Sequence, residues 1–121
     1  MARSLRVMVV EDEFIIADEI AAIVQDSGNE VVGPFGSIEE AEAAISAEDK
    51  PDLAILDANL RGKSSIAVAD KLRHLGVPLC LCTGYRSDDL RAAFGDVAIL
   101  QKPVNPHALL DVIEGIRRSR T

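Results

Sequence analysis

Five short apolar runs, separated by longer segments of helical spacing, constrain this chain more than any other feature of it. The first run is Leu5 to Val10, broken only by Arg6. A run with so little polar interruption suits a strand buried on both faces. Ile16, Ile20, Ile23 and Val24 then recur at helical spacing, with Asp12-Glu13 at the positive end of that helix and Ser27-Gly28-Asn29 as its stop. Glu30 to Val32 is a short second strand ended by Gly33-Pro34. Ser37, with Glu40 three residues on, forms a capping box for a helix from Ile38 to Ala47.

The alternation continues to the end. Leu53 to Leu56 is the third strand and stops at Asp57; a polar loop, Asn59 to Ser64, leads into a helix from Ile66 to Leu75, closed by Gly76. Val77 to Cys82 is the fourth strand and stops at Thr83-Gly84. Ser87 to Phe94 is a short helix of low apolar content, Val97 to Leu100 the fifth strand, and Asn105-Pro106 the cap and first residue of a last helix reaching about Arg118. Strands alternating with helices demand a parallel sheet covered on both faces. Right-handed crossovers then make 2-1-3-4-5 the leading strand order. At 121 residues the chain fits one domain, 1–121, with no room for an output domain.

The polar residues that close these runs carry the chemistry. In open α/β sheets, ligands bind beyond the carboxyl ends of the strands, where the winding reverses. For this order the crevice lies between strands one and three, which end at Glu11-Asp12 and Asp57. Three clustered carboxylates repel one another and are relieved by a shared proton or a cation. Ligation by oxygen alone suits a hard ion, and Mg²⁺ fits because it keeps several waters and needs few protein ligands. The Asn59 carbonyl adds one more oxygen. Thr83 and Lys102 close the fourth and fifth runs. Each piece has an ordinary reading by itself: acids at a helix start, a turn threonine, a solvated lysine. Their joint placement at four strand ends does not.

Other features exclude function classes. A net charge of −7 argues against phosphate-backbone binding, and 3% aromatic residues leave few platforms for stacking bases. No run approaches the roughly 20 apolar residues of a membrane span, and no signal-peptide core is present, so a cytoplasmic location is expected. Cys80 and Cys82 read as small buried side chains in a reducing compartment. His74 and His107 lack metal-like company. No Gly-rich phosphate loop follows the first strand, which weighs against a nucleotide or flavin binder.

With these residues placed, the chain resembles the receiver domain of two-component response regulators over Leu5 to about Arg118. The motifs that carry the resemblance are Val-Val-Glu-Asp-Glu at 9–13, Leu-Asp-Ala-Asn-Leu at 56–60, Cys-Thr-Gly-Tyr at 82–85 and Gln-Lys-Pro at 101–103. The resemblance implies a flavodoxin-like fold with Asp57 as phosphoacceptor. It implies Mg²⁺ on Glu11, Asp12, Asp57 and the Asn59 carbonyl. Thr83 and Lys102 would contact the phosphoryl oxygens, assisted by backbone N–H groups near Ala58 and Gly84, and the Lys102-Pro103 bond is often cis in the family. The implied partners are a sensor histidine kinase or histidine phosphotransfer protein and a downstream protein, with neither nucleic acid nor membrane.

The chain departs from the usual pattern in two places. Ile99 stands where many receivers place an aromatic switch residue. Thr83-Gly84-Tyr85 replaces the common Thr/Ser-Ala pair and resembles an atypical subclass whose fourth strand ends in a Phe-Ala-Thr-Gly-like motif; here the Phe-Ala part reads Leu81-Cys82. Tyr85 reads either as an exposed loop aromatic or as a cover over the site. Phe14 and Ile15, off the helix stripe, read either as buried beneath a loop or, with Pro103 and Val104, as an apolar docking surface. Two other functions compete: a phosphate-independent pseudo-receiver, and a Mg²⁺-dependent aspartyl-phosphate phosphohydrolase. The first is opposed by retention of all five site residues. The second wants a general acid two residues after the nucleophile, where this chain has Asn59.

Overall fold

The computed structural model describes residues 4–84 and 88–120. The elements run β1 (Arg6–Val10), α1 (Phe14–Asp26), β2 (Glu30–Phe35), α2 (Ile38–Ala44), β3 (Leu53–Asp57), β4 (Asn59–Leu60), β5 (Lys63–Ser64), α3 (Ile66–His74), β6 (Leu79–Thr83), α4 (Asp88–Phe94), β7 (Ala98–Gln101) and α5 (Pro106–Ser119). The main sheet has the order β2-β1-β3-β6-β7, with every neighbouring pair parallel. Leaving aside the small β4–β5 hairpin, this is the expected 2-1-3-4-5 winding with five helices.

Alternation along the buried strands builds two cores from one sheet. Successive side chains point to opposite faces, so Met8, Val10, Ala54, Leu56 and Leu81 pack on one side with Ala41 of α2, Val68, Ala69 and Leu72 of α3, and Phe94 of α4. Val7, Val9, Ile55, Cys80 and Cys82 pack on the other with Ile20 and Val24 of α1 and Leu109 and Ile113 of α5. β3 and β6 are buried along their whole length, which is why their sequences read as unbroken apolar runs. Both cysteines are free and buried, as expected of small core residues.

Local chemistry sets the boundaries, and it moves several of them. β2 does not stop at Gly33-Pro34. It crosses that cis bond and rejoins β1 at Phe35, with a register shift between Met8 and Val10. Gly33 makes this possible: its φ is 105°, and a Cβ there would lie 2.9 Å from the Phe35 nitrogen and 3.0 Å from the Val9 carbonyl oxygen. A proline is tolerated because β2 is an edge strand. α2 ends at Ala44 rather than Ala47, because Ile45 turns extended to bury its own side chain in the core. Its start is as expected, with the Ser37 hydroxyl accepting from the Glu40 N–H.

The stretch from Asn59 to Ser64 is not merely a polar loop. It is a two-residue hairpin turning at Arg61 and Gly62, with φ values of 53° and 82°, anchored by Leu60, which is buried in the α2–α4 side core. β6 begins at Leu79, since Val77 is engaged in closing α3 by donating to the Leu72 carbonyl. α5 starts as expected: the Asn105 side chain accepts from the N–H groups of His107 and Ala108, with Pro106 at the first helical position. Among the described residues, no helix is long and apolar enough to cross a membrane.

Candidate functional site

The carboxyl ends of β1, β3, β6 and β7 meet at one edge of the sheet, and their register brings the polar residues level. Val10 pairs with Leu56, Asp57 with Cys82 and Thr83 with Gln101. Glu11, Asp12 and Asp57 each offer a carboxylate oxygen lying within 4.8 Å of the others. Glu11 and Asp57 are buried, and Asp12 is half-buried.

Each carboxylate is held by a different group. The Glu11 N–H donates to the Phe35 carbonyl at 2.9 Å, so the strand crossing Gly33-Pro34 pins the start of the site. Glu11 Oε2 accepts from the Glu13 N–H at 3.0 Å. Asp12 Oδ2 accepts from the Arg61 N–H at 2.9 Å, while its Oδ1 is buried with no hydrogen-bond partner among the described residues. Asp57 Oδ1 accepts from the Asn59 N–H at 3.0 Å.

Lys102 reaches across the cluster from the end of β7. Its Nζ lies 2.7 Å from Glu11 Oε1, 2.9 Å from Asp57 Oδ2 and 3.6 Å from Glu13 Oε1. Its own N–H donates to the Thr83 carbonyl at 2.7 Å, which ties the lysine to the end of β6. The Lys102-Pro103 bond is cis. Thr83 is buried as the last residue of β6.

The titrations follow from this packing. Burial raises the Glu11 carboxyl to about 7; the hydrogen bonds from Lys102 and the Glu13 N–H oppose the rise, and the neighbouring Asp57 adds to it. Burial is the largest single influence on Asp12 and pushes its carboxyl up, but the Arg61 N–H, the Glu11 side chain, its own N–H and the Lys102 charge together outweigh it and hold that carboxyl below its usual range. For Lys102, burial works against the ammonium, but the Glu11 and Asp57 carboxylates more than compensate and strengthen its hold on the proton. Burial pushes the Cys80 thiol up to about 12 and raises Cys82 as well, so neither is a ready nucleophile.

The sequence-selected residues are therefore brought together, with qualifications. Glu11, Asp12, Asp57 and Lys102 share one site, Asn59 adjoins it through its N–H, and Thr83 closes the neighbouring strand. The Ala58 N–H donates to the Cys82 carbonyl at 3.2 Å, so in this state it is engaged within the sheet. Ile99 is half-buried against the α2–α4 side core. Phe14 and Ile15 are 76% and 73% exposed, which removes the reading that buries them beneath a loop. His74 and His107 are exposed. Tyr85 lies outside the described residues. Sequence reasoning missed Arg61, whose N–H holds Asp12; the Arg61-Gly62 pair between two short polar strands was its only signal.

The donor set suits a hard cation. It consists of oxygens alone, carries more negative charge than Lys102 neutralises, and includes the unpartnered Asp12 Oδ1.

The family model of the response regulator receiver domain matches residues 7–114. The transcriptional regulatory protein PdtaR of Mycobacterium tuberculosis is 29% identical over 112 residues, covering 92% of this chain and 54% of the relative. The phyllosphere-induced regulator PhyR of Methylorubrum extorquens is 32% identical over 110 residues, covering 88% of this chain and 41% of the relative. The chain thus spans about half the length of the curated relatives it matches. The solved signal receiver domain of a modulated diguanylate cyclase from Desulfovibrio desulfuricans G20 superposes with a TM-score of 0.83 at 27% identity, covering 97% of this chain and 96% of that one. Receiver domains are in general signalling modules of two-component systems rather than enzymes, and Asp phosphorylation and Mg²⁺ binding are typical of them. A sheet wound 2-1-3-4-5, three acids with a lysine at its carboxyl edge, and a family match over nearly all of the chain identify it as a member of the response regulator receiver domain family.

Proposed function

We propose that this chain is a phosphoacceptor signalling module in which Asp57 takes a phosphoryl group from a phosphohistidine on a sensor kinase or phosphotransfer protein. The observation that carries this reading is the contact of Lys102 Nζ with Asp57 Oδ2, at 2.9 Å, inside a cluster of three carboxylates. Glu11, Asp12, Asp57 and the Asn59 carbonyl would hold Mg²⁺. Once bound, the ion would neutralise charge on the phosphoryl oxygens during transfer.

The chain's own groups do the positioning. The Asn59 N–H and Lys102 fix both oxygens of the Asp57 carboxylate, so one stays aimed at the incoming phosphorus. One oxygen forms the new O–P bond as the N–P bond of the donor breaks, and the imidazole leaves with that electron pair. Charge then spreads over the phosphoryl oxygens, where Lys102 and the Thr83 hydroxyl are suited to follow it. The product is an acyl phosphate, which water hydrolyses back to the carboxylate. No general acid stands two residues after Asp57, where Asn59 sits, which disfavours a phosphohydrolase.

Signalling follows as the Thr83 hydroxyl moves toward the phosphoryl group and shifts the population of states at the β6–α4 end. The module acts as one receiver unit through a downstream protein partner, in the cytoplasm where histidine-phosphorylated donors are made. Incubation with Mg²⁺ and acetyl phosphate tests the reading. Wild type should gain one phosphoryl group by mass, and Asp57→Ala should gain none. Equal labelling of both proteins, or labelling of neither, overturns it.

A further inference from the structure

We propose that the β4–β5 hairpin is a clip that presets Asp12 for the cation, with the main-chain N–H of Arg61 as the positioning group. This rests on the reading of the acidic cluster as a Mg²⁺ site and assigns the hairpin a part in it. Four observations converge on the clip. The Arg61 N–H donates to Asp12 Oδ2 at 2.9 Å, across 49 residues of chain. The Gly62 N–H donates to the Asn59 side-chain Oδ1 at 2.9 Å, closing the turn on the residue whose carbonyl is the fourth ligand. The Asn59 N–H donates to Asp57 Oδ1 at 3.0 Å. Leu60, 1% exposed, roots the hairpin in the core.

The geometry also says which oxygen does what. With Asp12 Oδ2 committed to Arg61, the carboxylate cannot rotate freely, and Oδ1 is left buried without a partner. Oδ1 is therefore the oxygen presented to the cation. Outer partners of this kind orient metal ligands and lower the ordering cost of binding.

The main chain of Arg61, rather than its side chain, makes this contact. A methyl group placed on Gly36 would lie 3.6 Å from the Arg61 Nη2, so the guanidinium reaches toward the loop between β2 and α2. The turn that presents this N–H to Asp12 has positive φ at two successive residues, 53° at Arg61 and 82° at Gly62. Such a turn favours Gly, Asn or Asp, so an arginine here is held in a conformation it rarely adopts.

Two measurements test the clip. The first needs no metal. By NMR, the residue-61 amide should exchange slowly in wild type and at least about tenfold faster in Asp12→Ala, which removes its acceptor. Fast exchange in wild type overturns the clip. The second is Mg²⁺ titration by calorimetry, with thermal midpoints read alongside. Arg61→Pro, which lacks the N–H, and Gly62→Val, which resists positive φ, should each weaken Mg²⁺ about tenfold or more. Arg61→Gly keeps both the N–H and the backbone conformation and should bind within about twofold of wild type, as should Lys63→Ala on the same hairpin. Weakening by Arg61→Gly as severe as by Arg61→Pro would assign the role to the guanidinium instead. Wild-type affinity in Arg61→Pro and Gly62→Val would leave the hairpin no part in binding. Slow residue-61 exchange in a wild type that binds no Mg²⁺ would instead overturn the metal site and keep the hydrogen bond.

Discussion

At the scale of single residues, the site is a balance between burial and pairing. Glu11 is nearly inaccessible and touches Lys102, yet its carboxyl is raised from an ordinary 4.5 to about 7 because burial outweighs the ion pair. A raised acid keeps its proton in the folded state where the unfolded chain has already lost it. The stability this proton confers is full below pH 4.5 and is lost as pH rises through 7. With EDTA present, the thermal midpoint should therefore fall between pH 5 and pH 7.5 by an amount that Glu11→Gln abolishes. Mg²⁺ requires the ionised carboxylate, so below pH 7 its affinity should drop by up to about tenfold per pH unit, measured by calorimetry across that range. Ile15 poses a separate question. Its exposure beside the acidic edge suits a docking contact with the partner that carries the phosphohistidine. Ile15→Glu should slow transfer from a cognate phosphohistidine protein by roughly tenfold or more while leaving labelling by acetyl phosphate intact. Equal loss in both assays would rule out docking.

At the scale of elements, the parts legible in the sequence were those with local causes. Ser37 starts α2 because its hydroxyl, three residues before Glu40, satisfies that residue's orphan N–H; among the described residues the reciprocal half of the box is absent, and the hydroxyl instead donates to the Glu40 carboxylate. Ser37→Ala should accordingly lower stability by about 1 kcal/mol, read as a shift of the urea midpoint with unchanged slope. Asn105-Pro106 and Gly76 bounded α5 and α3 for the same local reasons. The misread boundaries have non-local causes. β2 continues past Gly33-Pro34 because Phe35 finds Val10 and the Glu11 N–H on the neighbouring strand. α2 stops early because Ile45 has a place in the core. The β4–β5 hairpin depends on burial of Leu60, a single apolar residue in a polar stretch with no periodicity to report it.

At the scale of the whole molecule, one sheet serves two cores, and its central strand serves both. Leu56 lies on the α2–α4 side beside Asp57, fully buried, and Ile55 on the other. Leu56→Ala should cost roughly 2–5 kcal/mol in chemical denaturation, more than the same truncation on the edge strand β2 at half-buried Val32. Because Leu56 precedes Asp57, the phosphoacceptor of the proposed function, the same variant tests whether core rigidity positions that carboxylate. Labelling by acetyl phosphate should slow even under conditions where the variant is fully folded.

The sequence by itself determined the alternation of strands and helices, the caps, and which polar residues end which strands. These follow from side-chain periodicity and from hydrogen bonds a few residues long. Parallel winding then carried Glu11, Asp12, Asp57, Thr83 and Lys102 to one edge. What only the tertiary structure decided is how those groups engage. Lys102 reaches Asp57 across 45 residues of chain and Glu11 across still more, and the Arg61 N–H holds Asp12 across 49. Contacts at that separation depend on strand register, on a bulge at Gly33 and on a turn at Arg61-Gly62. None of these leaves a repeating pattern in the chain.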